Sequence, residues 1–272
     1  MEFTKELSEL VTVLLNNSDT HGLFIVGEPA IGKSTTIGNV LEELGVPYIN
    51  LEAHTTACNL HNQLAANPSS LFVADDTDGL LNDSASIALL KSALDASAGT
   101  NGTRQISWGT SKNAAKDKMV NFTGKVILIA NSVPKGKEYL ALKSRFFYYS
   151  ITLNREEREG LLRDAAKSNR FANNEIAIEV AEFLISNGDH LDFNQVNLRD
   201  LVHGYNIAKN KVTDWKKLLL KMTAKPEPKE VVLRLSKSET TPGTQLKEFL
   251  KTTQMGERMF WKYRLELGLK GT

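Results

Sequence analysis

Short apolar runs separated by helical patterns dominate the first half of the chain. Largely apolar runs of four to eight residues predict buried strands at Gly22–Val26, Pro47–Leu51, Leu71–Ala74, Val126–Ala130 and Phe146–Leu153. Apolar residues spaced three and four positions apart predict helices at Met1–Asn16, from Ser34 to about Leu44, at Asn59–Ala66 and at Ser84–Ala98. Strands without polar alternation, interleaved with helices, indicate a parallel sheet covered by helices on both faces. The pattern therefore predicts an α/β fold.

Beyond Leu153 the apolar spacing becomes purely helical. The predicted helices run from a cap at Asn154 to about Lys167, over Glu175–Ser186, and from Asn197 toward Met222. Pro226-Glu227-Pro228 indicates a linker, and a small helical unit follows it. The predicted organisation is an α/β domain (1–153), an all-helical domain (154–225) and a small C-terminal helical unit (229–272).

Composition narrows the class of protein. Hydrophobic residues make up 41% and charged residues 24% of the 272 positions, which excludes disordered and fibrous chains. No apolar run approaches the ~20 residues that cross a bilayer, and no signal peptide is visible, so we expect no membrane contact. The single cysteine, Cys58, cannot form an internal disulfide, which favours a reducing compartment. These features predict an intracellular, cytoplasmic protein.

Charge is unevenly distributed along the chain. The net charge is +1, but residues 205–272 contain 15 basic and 7 acidic side chains, a net charge of +8. The C-terminal quarter is therefore basic on a mildly acidic body. Such a segment is either a solvated lysine-rich surface or a nucleic-acid contact, and charge alone leaves both open.

A phosphate-binding loop follows the first predicted strand. Residues 27–34, Gly-Glu-Pro-Ala-Ile-Gly-Lys-Ser, match the pattern G-x-x-x-x-G-K-[ST], between an apolar strand and a helix start. Backbone N–H groups and the helix N-terminus can surround a phosphate there. We expect Lys33 to reach the β- and γ-phosphates of ATP and Ser34 to ligate Mg²⁺. The expected nucleotide-binding residues are Gly27, Glu28, Pro29, Ala30, Ile31, Gly32, Lys33, Ser34 and Thr35.

Two carboxylates stand at the end of the third predicted strand. Asp75 and Asp76 follow Leu71–Ala74 directly, and parallel sheets bind ligands at the carboxyl ends of their strands. We expect Asp75 to hold the magnesium ion through water and Asp76 to orient the attacking water. The alternative is a pair of ordinary turn acids, which the preceding phosphate loop makes the weaker interpretation.

With these motifs in place, residues 1–225 resemble the AAA+ ATPase family. Asn131, after the fourth strand, matches the polar sensor-1 residue, and Arg145 matches the arginine finger that acts on the neighbouring subunit's nucleotide. The helical segment matches the family's lid, and Arg199 falls where sensor 2 lies, although a surface arginine would look the same. The resemblance implies Mg-ATP hydrolysis at the subunit interfaces of a homo-oligomeric ring or spiral, such as a hexamer.

One residue departs from the family pattern. The family usually has Asp-Glu at the strand end, whereas this chain has Asp75-Asp76. Aspartate is one methylene shorter, and a misplacement near 1 Å costs on the order of 100-fold in rate. We therefore expect slow turnover, which also leaves room for a nucleotide switch.

Two segments are candidates for DNA contact. The insertion at Asn101–Gly124 is predicted to be a hairpin, and a hairpin before sensor 1 resembles the AAA+ subgroup of viral and replicative helicases and branch-migration motors, in which it faces DNA. The terminal unit resembles a helix-turn-helix, with Arg264 also facing DNA. The proposed contacts are Arg104, Trp108, Lys112, Lys116, Lys118, Arg258 and Lys262. The alternatives are a solvated loop with a core tryptophan and a tail for packing or partner binding.

The favoured interpretation is an AAA+ ATPase that acts on DNA in replication, recombination or mobile-element biology, from a virus or plasmid. The five histidines show no metal-ligand spacing. One alternative is an ATP-dependent switch that loads a helicase or recruits a protein partner. The other is a chaperone-type remodeller of proteins.

Overall fold

The structure is a computed structural model that describes residues 2–51, 55–95, 102–107, 119–133, 136–188, 191, 196–223, 227–238, 240–253 and 255–269. Its contacts divide the chain into two compact units, Met1–Leu161 and Leu162–Thr272. Each unit contains hydrophobic clusters of its own. Among the described residues, no helix combines the length and the apolar character that a membrane span requires.

The first unit is built on a parallel sheet. In chain order the strands are β1 (Gly22–Gly27), β2 (Tyr48–Leu51), β3 (Leu71–Ala74), β4 (Arg104–Ile106), β5 (Val120–Phe122), β6 (Lys125–Ala130) and β7 (Phe147–Ile151). Five of them form one sheet in the order β2-β3-β6-β1-β7, and all its pairings are parallel. The predicted strands are thus confirmed, each within about two residues of its observed ends.

The sheet is buried on both faces. Every residue of β1 and of β3 is buried, and successive side chains of a strand point to opposite faces. The helices of this unit are α1 (Glu2–Asn16), α2 (Lys33–Glu43), α3 (Ala57–Ala66), α4 (Asp78–Asn82), α5 (Ser84–Ala93) and α6 (Lys137–Lys143). Helix α7 (Arg155–Lys167) follows β7 and continues into the second unit. The expected α/β fold with helices on both faces is therefore present.

The sequence pattern does not predict two short helices of this unit, and it predicts a third helix, α5, that is longer than the observed one. Helices α4 and α6 have five and seven residues, too few to show a helical period. Helix α5 ends at Ala93 with its cap at Leu94, and the predicted extension to Ala98 lies partly outside the described residues.

The predicted hairpin is present before β6. Strands β4 and β5 pair antiparallel, with Arg104 opposite Phe122 and Ile106 opposite Val120. Ile106 and Phe122 are fully buried in the main core of the unit. The base of the hairpin is thus anchored to the sheet domain, while its expected tip, residues 108–118, lies outside the described residues.

Positive charges surround the base of this hairpin. Lys125, the first residue of β6, donates to the carbonyl oxygens of Leu14 at 2.6 Å and Asn17 at 2.5 Å, which fixes the end of α1. His21, 4% exposed, lies close enough to feel the charges of Lys125 and Arg104. Burial first, then these two cations, lower the pKa of His21 to about 4, against a smaller opposing effect of Asp19. His21 is therefore neutral at physiological pH.

The second unit is helical. Its helices after α7 are α8 (Asn174–Ser186), α9 (Leu198–Lys209), α10 (Trp215–Thr223), α11 (Pro228–Ser236), α12 (Pro242–Thr253) and α13 (Glu257–Glu266). One cluster of buried side chains joins α7 to α10, and a separate cluster joins α11 to α13. The helical C-terminal part is as predicted, whereas its division into a lid and a C-terminal unit, with the three-domain boundaries, remains a prediction.

The single helix predicted from Asn197 toward Met222 is wrong. Helix α9 ends at a C-cap, Asn210, and α10 begins only at Trp215. Between them Lys211 and Asp214 adopt positive φ values of 54° and 58°, which no helix permits. The sequence pattern does not show this turn, because Val212 places an apolar residue in it at helical spacing. The linker predicted at residues 226–228 is also wrong at its end. Pro228 begins α11, a helix that the pattern does not predict, because proline fits the first turn of a helix.

The neutral state of His21 predicts a pH-dependent stability. An unfolded histidine takes up a proton below pH ~6.5, whereas folded His21 resists protonation until about pH 4. The unfolded state therefore binds more protons between these values, and the free energy of unfolding falls as pH is lowered through them. The free energy of unfolding of the wild type falls between pH 7.5 and pH 5, and we expect His21→Gln to make this fall smaller by about 2 kcal/mol.

Urea unfolding of the wild type and of His21→Gln at both pH values measures this difference. An equal loss of stability in the two proteins contradicts the proposed role of His21.

Candidate functional site

The phosphate loop lies between β1 and α2 and has a backbone that leaves little freedom at its glycines. A Cβ added at Gly27 would lie 3.0 Å from the carbonyl oxygen of Ile151, because the end of β1 packs directly on β7. Gly32 has φ 92° and Ala30 has φ 56°, both in the left-handed region. These turns bend the chain sharply before α2, as a loop that wraps a phosphate requires.

Lys33 is the buried cation of this loop. It is 5% exposed, and its Nζ donates to the carbonyl oxygens of Gly27 at 2.9 Å and Glu28 at 2.6 Å. A third bond goes to Oδ1 of Asn131 at 2.9 Å. The loop carbonyls and the predicted sensor-1 side chain thus hold the ammonium group beside the loop.

The two acids follow β3 at the same edge of the sheet. Since β6 lies between β3 and β1, the residues after these strands are neighbours. Asn131 Nδ2 donates to Oδ1 of Asp76 at 3.0 Å, so Lys33, Asn131 and Asp76 form one hydrogen-bonded chain. Asp76 has φ 51°, and its N–H is bonded to Oδ1 of Asp75 at 3.0 Å. The structure therefore brings together the phosphate loop, the second acid and the sensor-1 residue.

Two oxygen donors of this edge suit a magnesium ion. Ser34 begins the exposed side of α2, and Asp75 is exposed at the end of β3. Hydroxyl and carboxylate oxygens are the ligands that Mg²⁺ prefers, and it usually takes only one or two from protein when phosphates are bound. Among the residues that the structure describes, there is no group of three or more His, Cys, Asp or Glu side chains placed to hold a metal.

The two arginines predicted to act on the nucleotide, Arg145 and Arg199, belong to different units. Arg145 is half-buried in the turn after α6, where its Nη1 donates to the Ala141 carbonyl oxygen at 2.6 Å. Arg199 is exposed in the first turn of α9, in the second unit. Their roles at a nucleotide remain predictions.

The burial of Arg104 contradicts the prediction that it contacts DNA. It is 1% exposed, and its guanidinium donates to the carbonyl oxygens of Phe122 at 3.3 Å and Gly124 at 2.5 Å. Burial lowers its pKa to about 10, so it stays charged at neutral pH. It fastens the hairpin rather than facing solvent. The alternation of Arg104 with Ile106 on one face of β4 is the sequence signal for this role.

The other candidates for DNA contact divide into two groups. Trp108, Lys112, Lys116 and Lys118 lie outside the described residues. Arg258 and Lys262 are exposed one turn apart on α13.

The structure also contradicts the prediction that Arg264, the remaining basic candidate on α13, faces DNA. It is buried and donates to Oε1 of Gln245 at 2.7 Å. It lies four residues after Phe260, on the buried face of the helix, so the spacing could have shown this.

One residue of the site was missed entirely. Arg158 of α7 is buried, and its Nη2 donates to Oε2 of Glu28 in the phosphate loop at 2.6 Å. The motif accepts any residue at position 28, and Arg158 lies in no motif, so the sequence carried no signal for this pair beyond opposite charge.

The chain is similar in structure to RuvB from Thermotoga maritima. A mutant of RuvB from Thermotoga maritima matches 98% of this chain and 88% of its own, with a TM-score of 0.56 at 12% identity. The RuvB Holliday junction branch-migration motor of the same organism matches the same shares with a TM-score of 0.51 at 12% identity. No protein-family model and no curated sequence matches the chain.

At this identity the likeness shows the fold alone. The chain has the α/β phosphate-loop fold with a helical C-terminal part, and its resemblance to AAA+ ATPases is confirmed at that level.

The buried position of Lys33 predicts the effect of removing it. Lys33→Ala deletes the cation expected to bind phosphate oxygens, so Mg-ATP affinity is expected to fall by well over tenfold. Isothermal titration calorimetry measures the affinity, and Lys91→Ala, which removes a half-buried lysine of α5 that lies in none of the site's motifs, is the control. Unchanged affinity in Lys33→Ala, with the fold intact by circular dichroism, would show that the loop does not bind nucleotide.

Proposed function

We propose that this protein is an AAA+-type ATPase that binds and hydrolyses Mg-ATP and uses the energy to act on DNA. The observation that carries the proposal is the chain of hydrogen bonds from Lys33 through Asn131 to Asp76. It joins a phosphate-binding cation to a carboxylate at the edge where parallel sheets bind ligands. RuvB, which shares the fold, is a branch-migration motor that acts on Holliday junctions.

The proposed chemistry assigns one task to each residue. The backbone of residues 27–35 surrounds the phosphates, and Lys33 exchanges its carbonyl partners for phosphate oxygens. Bound Mg²⁺, held by Ser34 and through water by Asp75, supplies neutralisation of the phosphate charge. Asp76 accepts a hydrogen bond from the attacking water, and Asn131 holds that carboxylate in place.

Assembly completes the proposed site. Arg145 acts on the nucleotide of a neighbouring subunit and stabilises the charge that develops during phosphoryl transfer. Arg199 acts as sensor 2 from the helical unit. The role of Arg145 requires a homo-oligomeric ring or spiral, for which a hexamer is the proposed form. We place the protein in the cytoplasm, encoded by a virus or plasmid and used in replication, recombination or mobile-element transfer.

Two surfaces support the DNA part of the proposal. The hairpin formed by β4 and β5 directly precedes β6, the strand that Asn131 follows, and we propose that its tip couples DNA contact to the site. The basic terminal segment exposes Arg258 and Lys262 on one face of α13. Phosphate contacts of this kind position a protein on DNA without reading its sequence.

A second candidate function is a slow nucleotide switch that loads a helicase or recruits a protein partner. The observation that favours it is Asp76, which is one methylene shorter than the glutamate usual in the family. A shorter reach slows turnover while leaving nucleotide binding intact.

Replacing the proposed catalytic carboxylate tests hydrolysis. Asp76→Asn keeps the size of the side chain, and asparagine also tolerates the positive φ of this position. Mg-ATP affinity is expected to stay within about twofold, whereas turnover is expected to fall by 10²-fold or more, since the carboxylate orients water. A phosphate-release assay measures turnover and calorimetry measures binding.

The control is Asp83→Asn, which changes a helix-capping acid outside the site. Equal turnover in wild type and Asp76→Asn would assign the water to another residue. Binding without measurable turnover in the wild type would favour the switch.

Salt dependence tests the DNA surface. If Arg258 and Lys262 each neutralise one phosphate, changing both to alanine reduces the slope of log affinity against log salt by about 2. Basal ATPase is expected to remain unchanged. Fluorescence anisotropy with duplex DNA at several salt concentrations measures the slope.

The matched control changes Lys247 and Lys251 of α12 to alanine, which removes the same charge from the same unit. An equal loss in both double variants would indicate non-specific attraction. Negligible DNA affinity of the wild type at low salt would reject the DNA function.

A further inference from the structure

Arg158 is a buried arginine whose position is set by the start of α7. Asn154 Oδ1 accepts a hydrogen bond from the N–H of Glu157 at 3.0 Å, and the Glu157 carboxylate accepts one from the N–H of Asn154 at 2.7 Å. This reciprocal pair is a capping box, which fixes the first turn of a helix. The N–H of Arg158 then donates to the Asn154 carbonyl oxygen at 3.0 Å. The capped turn therefore fixes where the Arg158 side chain starts.

The Arg158 guanidinium ends on the phosphate loop. Nη2 lies 2.6 Å from Oε2 of Glu28, and the two side chains are 2% and 39% exposed, respectively. A charge-assisted bond of this length is strong, and a buried cation needs such a partner to offset its lost hydration. The pair joins the second residue of the loop to a helix that follows β7.

Glu28 is held from two directions. Its carboxylate accepts from Arg158, and its carbonyl oxygen accepts from Lys33 Nζ at 2.6 Å. The preceding residue, Gly27, is paired with Ile151 at the end of β7. Only residues 152–154 separate β7 from α7. The first turn of the loop and the start of α7 are therefore tied together by one ion pair and one strand pairing.

We propose that Arg158 is a positioning residue of the nucleotide site, which acts through Glu28 to hold the first turn of the phosphate loop in the conformation that receives the phosphates. This inference rests on the proposed nucleotide function. The motif itself leaves position 28 open, so the pair is an addition that this chain makes to it. Glu28 alone would repel phosphate, but Arg158 cancels its charge, so the pair contributes loop shape rather than net attraction.

Shape and charge predict opposite results for one substitution. Glu28→Gln removes a negative charge beside the phosphates, so an effect of charge alone would raise the affinity for Mg-ATP. An effect of position lowers it, since the neutral amide oxygen of glutamine accepts from Arg158 more weakly than a carboxylate does and so holds the loop less firmly. We expect Glu28→Gln to weaken Mg-ATP binding by about tenfold.

The experiment measures Mg-ATP and Mg-ADP affinity by calorimetry, well below the lowest melting temperature of the set. The variants are Glu28→Gln, Arg158→Met and both together, because methionine fills a buried position without a charge. The double variant is expected to bind no more weakly than Arg158→Met alone, since both changes act on the same contact and methionine already abolishes it. The matched control is Glu159→Gln, which removes the carboxylate of an ion pair of 3.2 Å with Arg155 on the same helix.

The outcomes separate the two proposals. If Arg158→Met fails to fold, Glu28→Gln still decides through the sign of its effect. Unchanged or raised affinity in Glu28→Gln overturns the positioning role, as does an equal loss in Glu159→Gln. If the wild type binds neither nucleotide, the proposed nucleotide function fails, and this inference fails with it.

Discussion

A positive charge that leaves water needs oxygen atoms around it, and this constraint organises the first unit. Lys33 takes carbonyl oxygens of the phosphate loop, Lys125 takes those at the end of α1, and Arg104 takes those that follow β5. Because these oxygens lie at the ends of helices and strands or in the turns that follow them, each cation fixes the path of the backbone there. Arg158 differs, since its acceptor is a carboxylate and the charge is cancelled. Burial, with the charges of Arg104 and Lys125 added to it, keeps the pKa of His21 low and the side chain neutral.

The sheet and the centre of the site were predictable from local signals. Buried parallel strands are apolar at consecutive positions, so their periodicity identified β1, β3 and β6 almost to the residue. Residues that follow such strands meet at one edge, so Gly27–Ser34, the acids at 75 and 76, and Asn131 could be placed together before any coordinates. The hydrogen bonds that link Lys33, Asn131 and Asp76 agree with that placement.

What local pattern could not supply was the direction of charged side chains and the stops inside helical spacing. Arg104 and Arg264 look like surface cations in sequence, yet each shares a face with a buried residue, and packing decided their direction. The pair between Glu28 and Arg158 joins positions 130 apart in the chain, which no periodicity can report. The break between α9 and α10 depends on two left-handed residues, neither of which is glycine.

The left-handed backbone at Asp76 also bears on why an aspartate stands there. Aspartate and asparagine adopt positive φ far more readily than residues with longer side chains, because their short polar group can bond to the nearby chain. At φ 51° a glutamate would gain reach but lose that compatibility, with strain on the order of 1–3 kcal/mol. At this position the length of the side chain and the handedness of the backbone therefore constrain each other. A longer acid at residue 76 would therefore favour a right-handed backbone there, which would move the start of its side chain.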